Sequence, residues 1–215
     1  MTVVVVAGTG TGIGKTWVTA ALATALRRRG ITVAARKPVQ SFAPEHDAPT
    51  DAEELAAATG EDPYSVCPRH RWLPRALAPP MAAEALGYSE FTVAELAGEV
   101  MQHAPSESIV LVESAGGVRS PLAADGDTAT LVSTLQPELV VLVADADLGT
   151  INLVRLSTAA LAHDRVVVHL NRFDAALELH ARNRDWLMTR EGLEVVTDPE
   201  ALAEIVADIP PATCR

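Results

Sequence analysis

The chain is 215 residues long, a length that suits one domain with a continuous core and needs no disulfides to hold it. It carries 17 basic and 28 acidic residues, a formal net charge of −11, which argues against a protein that grips a nucleic-acid backbone or an anionic membrane, so any phosphate must be held locally. Two widely separated cysteines outside any CxxC pattern, Cys67 and Cys214, argue against a disulfide framework or structural zinc and fit a reducing cytoplasm.

In chain order, residues 2–7 form a β-branched apolar run, read as a buried strand, that leads through a glycine-rich turn into a helix over 15–29. Val18, Leu22 and Leu26 share one face of that helix, Gly30 stops it, and Arg27, Arg28 and Arg29 form a solvated end that complements its negative pole. A strand over 31–36 precedes an irregular, proline-containing stretch, 42–49. Thr50-x-x-Glu53 is a capping box that opens a helix over 51–59, and Thr92-x-x-Glu95 does the same for 93–104. Between these helices lie an irregular segment, 62–79, and a helix over 80–86. Strands at 109–113, 139–144 and 165–170 then alternate with helices at 128–135, 150–163, 175–189 and 199–207. The longest apolar runs fall far short of the ~20 residues that span a membrane, and the first residues offer no basic start for a signal peptide. Near-continuous hydrophobic strands alternating with helices predict an α/β protein, one domain over 1–215, with a mainly parallel sheet covered on both faces.

Only two of the 17 basic residues are lysines, Lys15 and Lys37. Arginine replaces lysine on a solvated surface but not where a compact ammonium must approach phosphate or carbamate oxygens. Lys15 stands in Gly8-Thr9-Gly10-Thr11-Gly12-Ile13-Gly14-Lys15-Thr16, between the first strand and the first helix. Thr9 to Thr16 matches the phosphate-binding loop, with threonine where its first glycine usually stands. Such a loop aims backbone N–H groups at a phosphate chain, its lysine reaches the β and γ phosphates, and its threonine hydroxyl ligates Mg²⁺. Glu113, ending a buried strand, is the candidate acidic partner of the metal; the plainer reading is a strand-end carboxylate facing water. Asp51 is a second candidate, against the reading that it only complements a helix dipole, and Asp47 competes with it. Lys37 is held extended by Pro38 at the carboxyl end of the second strand, the edge where open α/β sheets bind ligands. Two lysines converging on one crevice would neutralise charge that accumulates during phosphoryl transfer. None of the six histidines has metal-ligand spacing, and His163, His169 and His180 are read as packing or surface residues.

The P-loop is common to many ATPases, but its combination with further segments is specific. These are Lys37-Pro38-Val39-Gln40-Ser41, Leu77-Ala78-Pro79-Pro80-Met81-Ala82-Ala83, Val112-Glu113-x-Ala115-Gly116-Gly117, Asp147-Leu148-Gly149-Thr150-Ile151-Asn152 and Asn171. In that order, over about residues 2–172, the chain resembles the dethiobiotin synthetases, ATP-dependent ligases of biotin biosynthesis. The resemblance implies a single-domain, three-layer P-loop NTPase fold and a cyclising reaction. CO₂ carbamylates an amine of 7,8-diaminopelargonate, ATP phosphorylates the carbamate, and the second amine closes a ureido ring with release of ADP and phosphate. By the same resemblance Lys15, Lys37 and Thr11 act on the reacting oxygens. Gly12, Ile13, Gly14, Lys15, Thr16, Trp17, Gly116 and Asn171 hold the nucleotide, with Asn171 at the adenine; Thr16, Asp51 and Glu113 hold magnesium.

Ser41, Gly116 and Gly117, with Thr11 and Lys37, are implied to line the diamine site. A homodimer is implied too, in which the substrate carboxylate is received by the partner's segment matching Leu148, Gly149, Thr150 and Asn152. That suits the chemistry of a helix N-terminus, whose N–H groups attract carboxylate; the alternative is that Asp147 and Thr150 only cap the helix. The chain departs from the family at Ser114 and Phe42, where glycine is usual and where either change is expected to reshape the substrate pocket, and at 193–199, which lacks the family's adenine-enclosing pattern and leaves nucleotide preference open. Among rivals, a partition ATPase would carry a lysine where Gly10 stands, and a glutamine-dependent amidating enzyme would need an added glutaminase domain. A family member with an altered substrate is the third.

Overall fold

A computed structural model describes residues 1–45, 47–102, 106, 108–163 and 165–210. In chain order the elements are β1 (Thr2–Gly8), α1 (Lys15–Arg28), β2 (Val33–Arg36), β3 (Gln40–Ser41), α2 (Asp51–Thr59), α3 (Pro63–Val66), a 3₁₀ turn (Arg69–Arg71) and β4 (Trp72–Leu73). There follow α4 (Pro79–Leu86), α5 (Val93–Gln102), β5 (Ile109–Glu113), β6 (Pro121–Ala123), β7 (Gly126–Asp127) and α6 (Thr128–Leu135). The last are β8 (Leu139–Asp145), α7 (Thr150–Leu161), β9 (Val166–Asn171), α8 (Glu178–Thr189), β10 (Glu194–Val196) and α9 (Pro199–Ala207).

Six strands pair in parallel in the order β10-β9-β8-β1-β5-β2. Because successive side chains of a strand point to opposite faces, the unbroken apolar runs supply two cores. On one face Val3, Val5, Val112, Leu142 and Leu170 pack beneath α4, α5, α6, α7 and α8. On the other, Val4, Val6, Leu111, Val141 and Val167 meet Val18, Leu22 and Leu26 of α1 and Leu202 and Val206 of α9. The result is the predicted three-layer, single α/β domain. From β1 the chain runs out to the edge strand β2, returns to β5 beside β1, and crosses to β8 on the other side. That reversal opens a crevice at the carboxyl ends of β1 and β5, where ligands of such sheets bind.

Both predicted capping boxes form: Thr50 accepts from the Glu53 N–H while Glu53 reaches back, and Thr92 and Glu95 do likewise. The arginine end of α1 is not simply solvated, since Arg28 and Arg29 pair with Glu200 of α9. Other expectations need correction. The second strand starts at Val33 rather than 31, because the N–H groups of Gly30 and Ile31 fold back onto Arg27 and Leu26 carbonyls. Segment 62–79 is ordered, opening with α3, where Asp62 caps by accepting from Tyr64 N–H and Pro63 occupies the first turn. Residues 175–177 form a turn instead of helix, since the Asp174 carboxylate and carbonyl take the Ala176 and Leu177 N–H groups. The edge strand β10 and the short pairs β3-β4 and β6-β7 were not expected. The predicted end of the 93–104 helix and Cys214 lie outside the described residues. Among the described residues no helix is long and apolar enough to cross a membrane.

Candidate active site

The glycine-rich segment leaves β1 and enters α1 with Gly14 in the left-handed conformation, φ 89°. A Cβ at Gly14 would stand 2.2 Å from Asn171 Nδ2, so both the backbone and the space demand glycine here. No side chain caps α1, which leaves its first-turn N–H groups available to an anion. The loop forms one wall of a cleft of about 700 Å³, within the range of small-molecule sites, about 300–1,000 Å³.

Lys15 is 7% exposed and spans the cleft: its Nζ donates to Gly10 O at 3.0 Å and to Gly116 O, in the turn after β5, at 2.7 Å. Burial, and next the nearby Lys37 ammonium, pull its pKa down to about 8, with Glu113 and Asp51 acting in the other direction. Lys37 is buried as well. Its Nζ lies 2.7 Å from Asp51 Oδ2 and 2.7 Å from Glu113 Oε1, and it approaches Ser114 O at 3.4 Å. Burial alone would push the Lys37 pKa down, but the carboxylates of Glu113 and Asp51 outweigh it and hold it above the ordinary lysine value. Asp51 responds in kind: burial would raise it, yet Lys37 foremost, with help from Thr16, holds it below the usual range.

Thr16, Asp51 and Glu113 converge. Thr16 Oγ1 lies 2.9 Å from Asp51 Oδ1 and 2.9 Å from Glu113 Oε1. A hydroxyl has one proton, so it donates to only one of them. These are hydrogen-bond distances between a hydroxyl and two carboxylates, and all three groups are hard-oxygen donors of the kind Mg²⁺ takes. Glu113 Oε2 is buried without a hydrogen-bond partner. A hard-oxygen trio with an orphaned carboxylate oxygen fits Mg²⁺. Among the described residues no group of three or more His, Cys, Asp or Glu forms a metal cage, so nucleotide and water oxygens would complete the shell.

Of the residues singled out in the sequence, Thr11, Gly12, Gly14, Lys15, Thr16, Trp17, Lys37, Ser41, Asp51, Glu113 and Gly116 line this one cleft. Ile13, Gly117 and Asn171 are not among its lining residues: Ile13 O accepts from Asn171 Nδ2 at 2.8 Å, and Gly117 N–H donates to Ser120 Oγ at 3.0 Å. Leu148, Gly149, Thr150 and Asn152 are not brought into it. They open α7 beyond β8, with Leu148 86% exposed, while the Thr150 side chain is buried in its own chain and its hydroxyl lacks a partner. Asp47 is exposed and lines no part of the cleft. Phe42 is not a cleft residue either; its ring packs edge-on against Trp72 at 6.1 Å. Ser114 is fully buried, with an unpartnered hydroxyl. His169 is buried in β9 and His180 in α8, where its Nε2 meets Asp147 Oδ1.

Sequence reasoning missed Gln40, Glu54 and Ser120 as cleft residues. Glu54 was readable in principle, standing one helical turn past Asp51 and hence on the same face. The segment 76–79 also forms a wall, with Leu77 O accepting from Ser41 Oγ at 2.7 Å.

Residues 2–208 match the family described as AAA domain. The ATP-dependent dethiobiotin synthetase of Mycobacteroides abscessus is 35% identical over 214 residues, 97% of this chain and 92% of the relative. That of Xanthomonas campestris pv. campestris is 42% identical over 162 residues, 74% of this chain and 71% of the relative. Among solved structures, chloroplast FtsY from Physcomitrella patens superposes with a TM-score of 0.56 at 15% identity, covering 97% of this chain but only 65% of that one; it shares the fold alone. The two lysines, the oxygen trio and the loop that gathers them thus occur in a sequence that is collinear with curated relatives, and the chain belongs to the ATP-dependent dethiobiotin synthetase family.

Proposed function

We infer that the cleft carries out ATP-dependent dethiobiotin synthesis, with 7,8-diaminopelargonate, CO₂ and ATP as substrates. The observation that carries this is the convergence of the chain's only lysines, Lys15 and Lys37, on one buried gap that also holds the Thr16, Asp51 and Glu113 oxygens. One amine of the diamine attacks CO₂ and loses a proton, giving a carbamate. A carbamate oxygen then attacks the γ-phosphorus and ADP leaves. The second amine attacks the carbamoyl carbon, phosphate leaves, and the ureido ring closes.

No side chain in the cleft has to form a covalent intermediate; positioning and electrostatics suffice. Lys15, tied to both walls, is placed to follow the transferred phosphoryl group. Lys37 and Thr11 face the carbamate oxygens, and Ser41 with Gly116 and Gly117 bounds the diamine. Thr16, Asp51 and Glu113 hold Mg²⁺, which when bound neutralises polyphosphate charge. Gly12, Ile13, Gly14 and Trp17 follow the nucleotide, and Asn171, its Nδ2 engaged by Ile13 O, keeps its carbonyl oxygen for the adenine amino group. The segment Leu148, Gly149, Thr150 and Asn152 serves the neighbouring subunit of a homodimer, where the free N–H groups of the α7 start receive the substrate carboxylate. The protein works in the cytoplasm, with no nucleic-acid or membrane partner.

The test is phosphate release measured with and without 7,8-diaminopelargonate and bicarbonate, with the product identified by mass spectrometry. Diamine-dependent turnover yielding the ureido acid is expected. Turnover independent of the diamine, or none with it, refutes the assignment in favour of an altered substrate.

A further inference from the structure

We propose that Arg172 is a positioning residue for the phosphate-binding loop, holding the Gly12 carbonyl away from the cleft so that the loop's N–H groups face the polyphosphate. The inference rests on the reading of that loop as the nucleotide site.

Glycine stands at 8, 10, 12 and 14, so the loop has few side chains with which to fix its own shape and loses much conformational freedom when it closes on a ligand. A loop of this kind binds tightly only when something else organises it beforehand. Gly12 and Gly14 both have positive φ, 75° and 89°, an alternation that turns N–H groups to one side in an anion-binding concavity. The carbonyls displaced to the other side need donors, and two successive residues of β9 and its exit provide them. Asn171 Nδ2 donates to Ile13 O at 2.8 Å, and Arg172 Nη2 donates to Gly12 O at 2.9 Å.

Arg172 is itself braced. Its Nη1 lies 2.6 Å from Asp145 Oδ2, and Asp145 ends β8 directly opposite Asn171 in the parallel register. The guanidinium therefore bridges the ends of two core strands to the loop, using the planar fork that lysine lacks. Its backbone is left-handed, φ 56°, a conformation an L side chain rarely adopts and one that concentrates at ligand-holding sites. The Arg172 side chain is 58% exposed and that of Asp145 29%, so removing the guanidinium leaves no fully buried charge unpaired.

The experiment compares Arg172→Met, Arg172→Lys, Asp145→Asn and the Arg172→Met/Asp145→Asn double variant with the wild type. ADP and ATP dissociation constants are measured calorimetrically, with melting temperature, kcat and both KM values alongside. Arg172→Met is expected to weaken both nucleotides about five- to twentyfold and to raise KM for ATP in step, while kcat at saturating ATP and KM for the diamine stay within twofold. Arg172→Lys recovers part of the loss, Asp145→Asn shows a smaller loss in the same direction, and the double variant is no worse than Arg172→Met. Nucleotide affinity within twofold of wild type in Arg172→Met overturns the proposal. So does tighter binding by Asp145→Asn, which would mean that a freed guanidinium contacts phosphate directly. A fall in melting temperature and kcat without a change in nucleotide affinity also overturns it, as a merely structural role. If the wild type makes no ureido product yet these affinities shift as described, the ligase reading fails and the role of Arg172 stands.

Discussion

Replacing Lys37 by methionine removes an ammonium that is 2% exposed and lies 2.7 Å from each of two carboxylates. Breaking a buried ion pair from one side leaves the other charge uncompensated, a cost of about 3–5 kcal/mol. Glu113 is fully buried and bears most of that cost, whereas the Asp51 side chain is 44% exposed and partly screened, so the lower figure applies. For a domain of this size each kcal/mol moves the melting temperature by about 2–4 °C, which converts ~3 kcal/mol into a fall of roughly 6–12 °C. The double variant Lys37→Met/Glu113→Gln should recover most of the loss, because it leaves no buried charge without a partner.

Calorimetric melts at pH 7.5 and low salt are the assay, and addition of Mg²⁺ should stabilise Lys37→Met more than the wild type. Since Asp51 is held below its ordinary 3.8, its share of the stabilisation is present above that value and lost only as pH falls through the lowered one. The Asp51 share of the Lys37→Met deficit should therefore shrink only in strong acid. Lys37→Arg is the functional counterpart: a planar guanidinium cannot occupy the ammonium's slot, so nucleotide binding is retained and the ureido product disappears. A melting temperature within 2 °C of wild type for Lys37→Met, a double variant no more stable than the single, or normal turnover by Lys37→Arg would refute the reasoning.

His169, 1% exposed, has its pKa pushed down to about 4 by burial, against a weaker upward pull from Asp198. The unfolded chain thus takes up a proton between pH 6.5 and about 4 that the folded chain refuses, and stability should fall across that window by on the order of 3 kcal/mol. Urea titrations should show a flatter pH dependence for His169→Leu, and an unchanged profile would contradict the account. Gly14→Ala combines a left-handed backbone, about 1–2 kcal/mol for an L residue, with a Cβ 2.2 Å from Asn171 Nδ2; ATP affinity should drop more than tenfold by calorimetry. For the proposed intersubunit site, Asn152→Asp should repel the substrate carboxylate. Mixing it with Lys37→Met should then restore about a quarter of wild-type turnover, because half the dimers are mixed and each has one intact site in a two-fold assembly; no recovery on mixing would place the whole site in one subunit.

What was legible in the sequence follows the reach of each signal. Spacing along one segment was enough for the loop from Thr9 to Thr16, for the capping boxes at Thr50 and Thr92, and for every main-sheet strand long enough to show an unbroken apolar run. The three residues of β10 carry no such run, with Glu194 at one end and a hydrophilic turn at the other, and only the pairing partner β9 makes them a strand. The meeting of Lys37 with Glu113 was half readable. A parallel sheet places both strand ends at one edge, which brings the residues near each other, but the 2.7 Å contact and the sharing of Asp51 from α2 depend on how α2 packs.

Two residues show the limit from opposite directions. Phe42 stands next to Ser41 of the cleft and in place of a customary glycine, which points to an intruding side chain; the β3-β4 pairing instead bonds its N–H to Leu73 O and turns its ring onto Trp72. Arg172 had no signal at all, being one of 15 arginines in a turn after a strand. Its contact with the loop exists only because β8 and β9 end in register and the backbone at 172 turns left-handed. Neighbours in sequence share a site only when the local backbone directs them there, and here pairing partners two strands away decide which side chains reach the nucleotide loop.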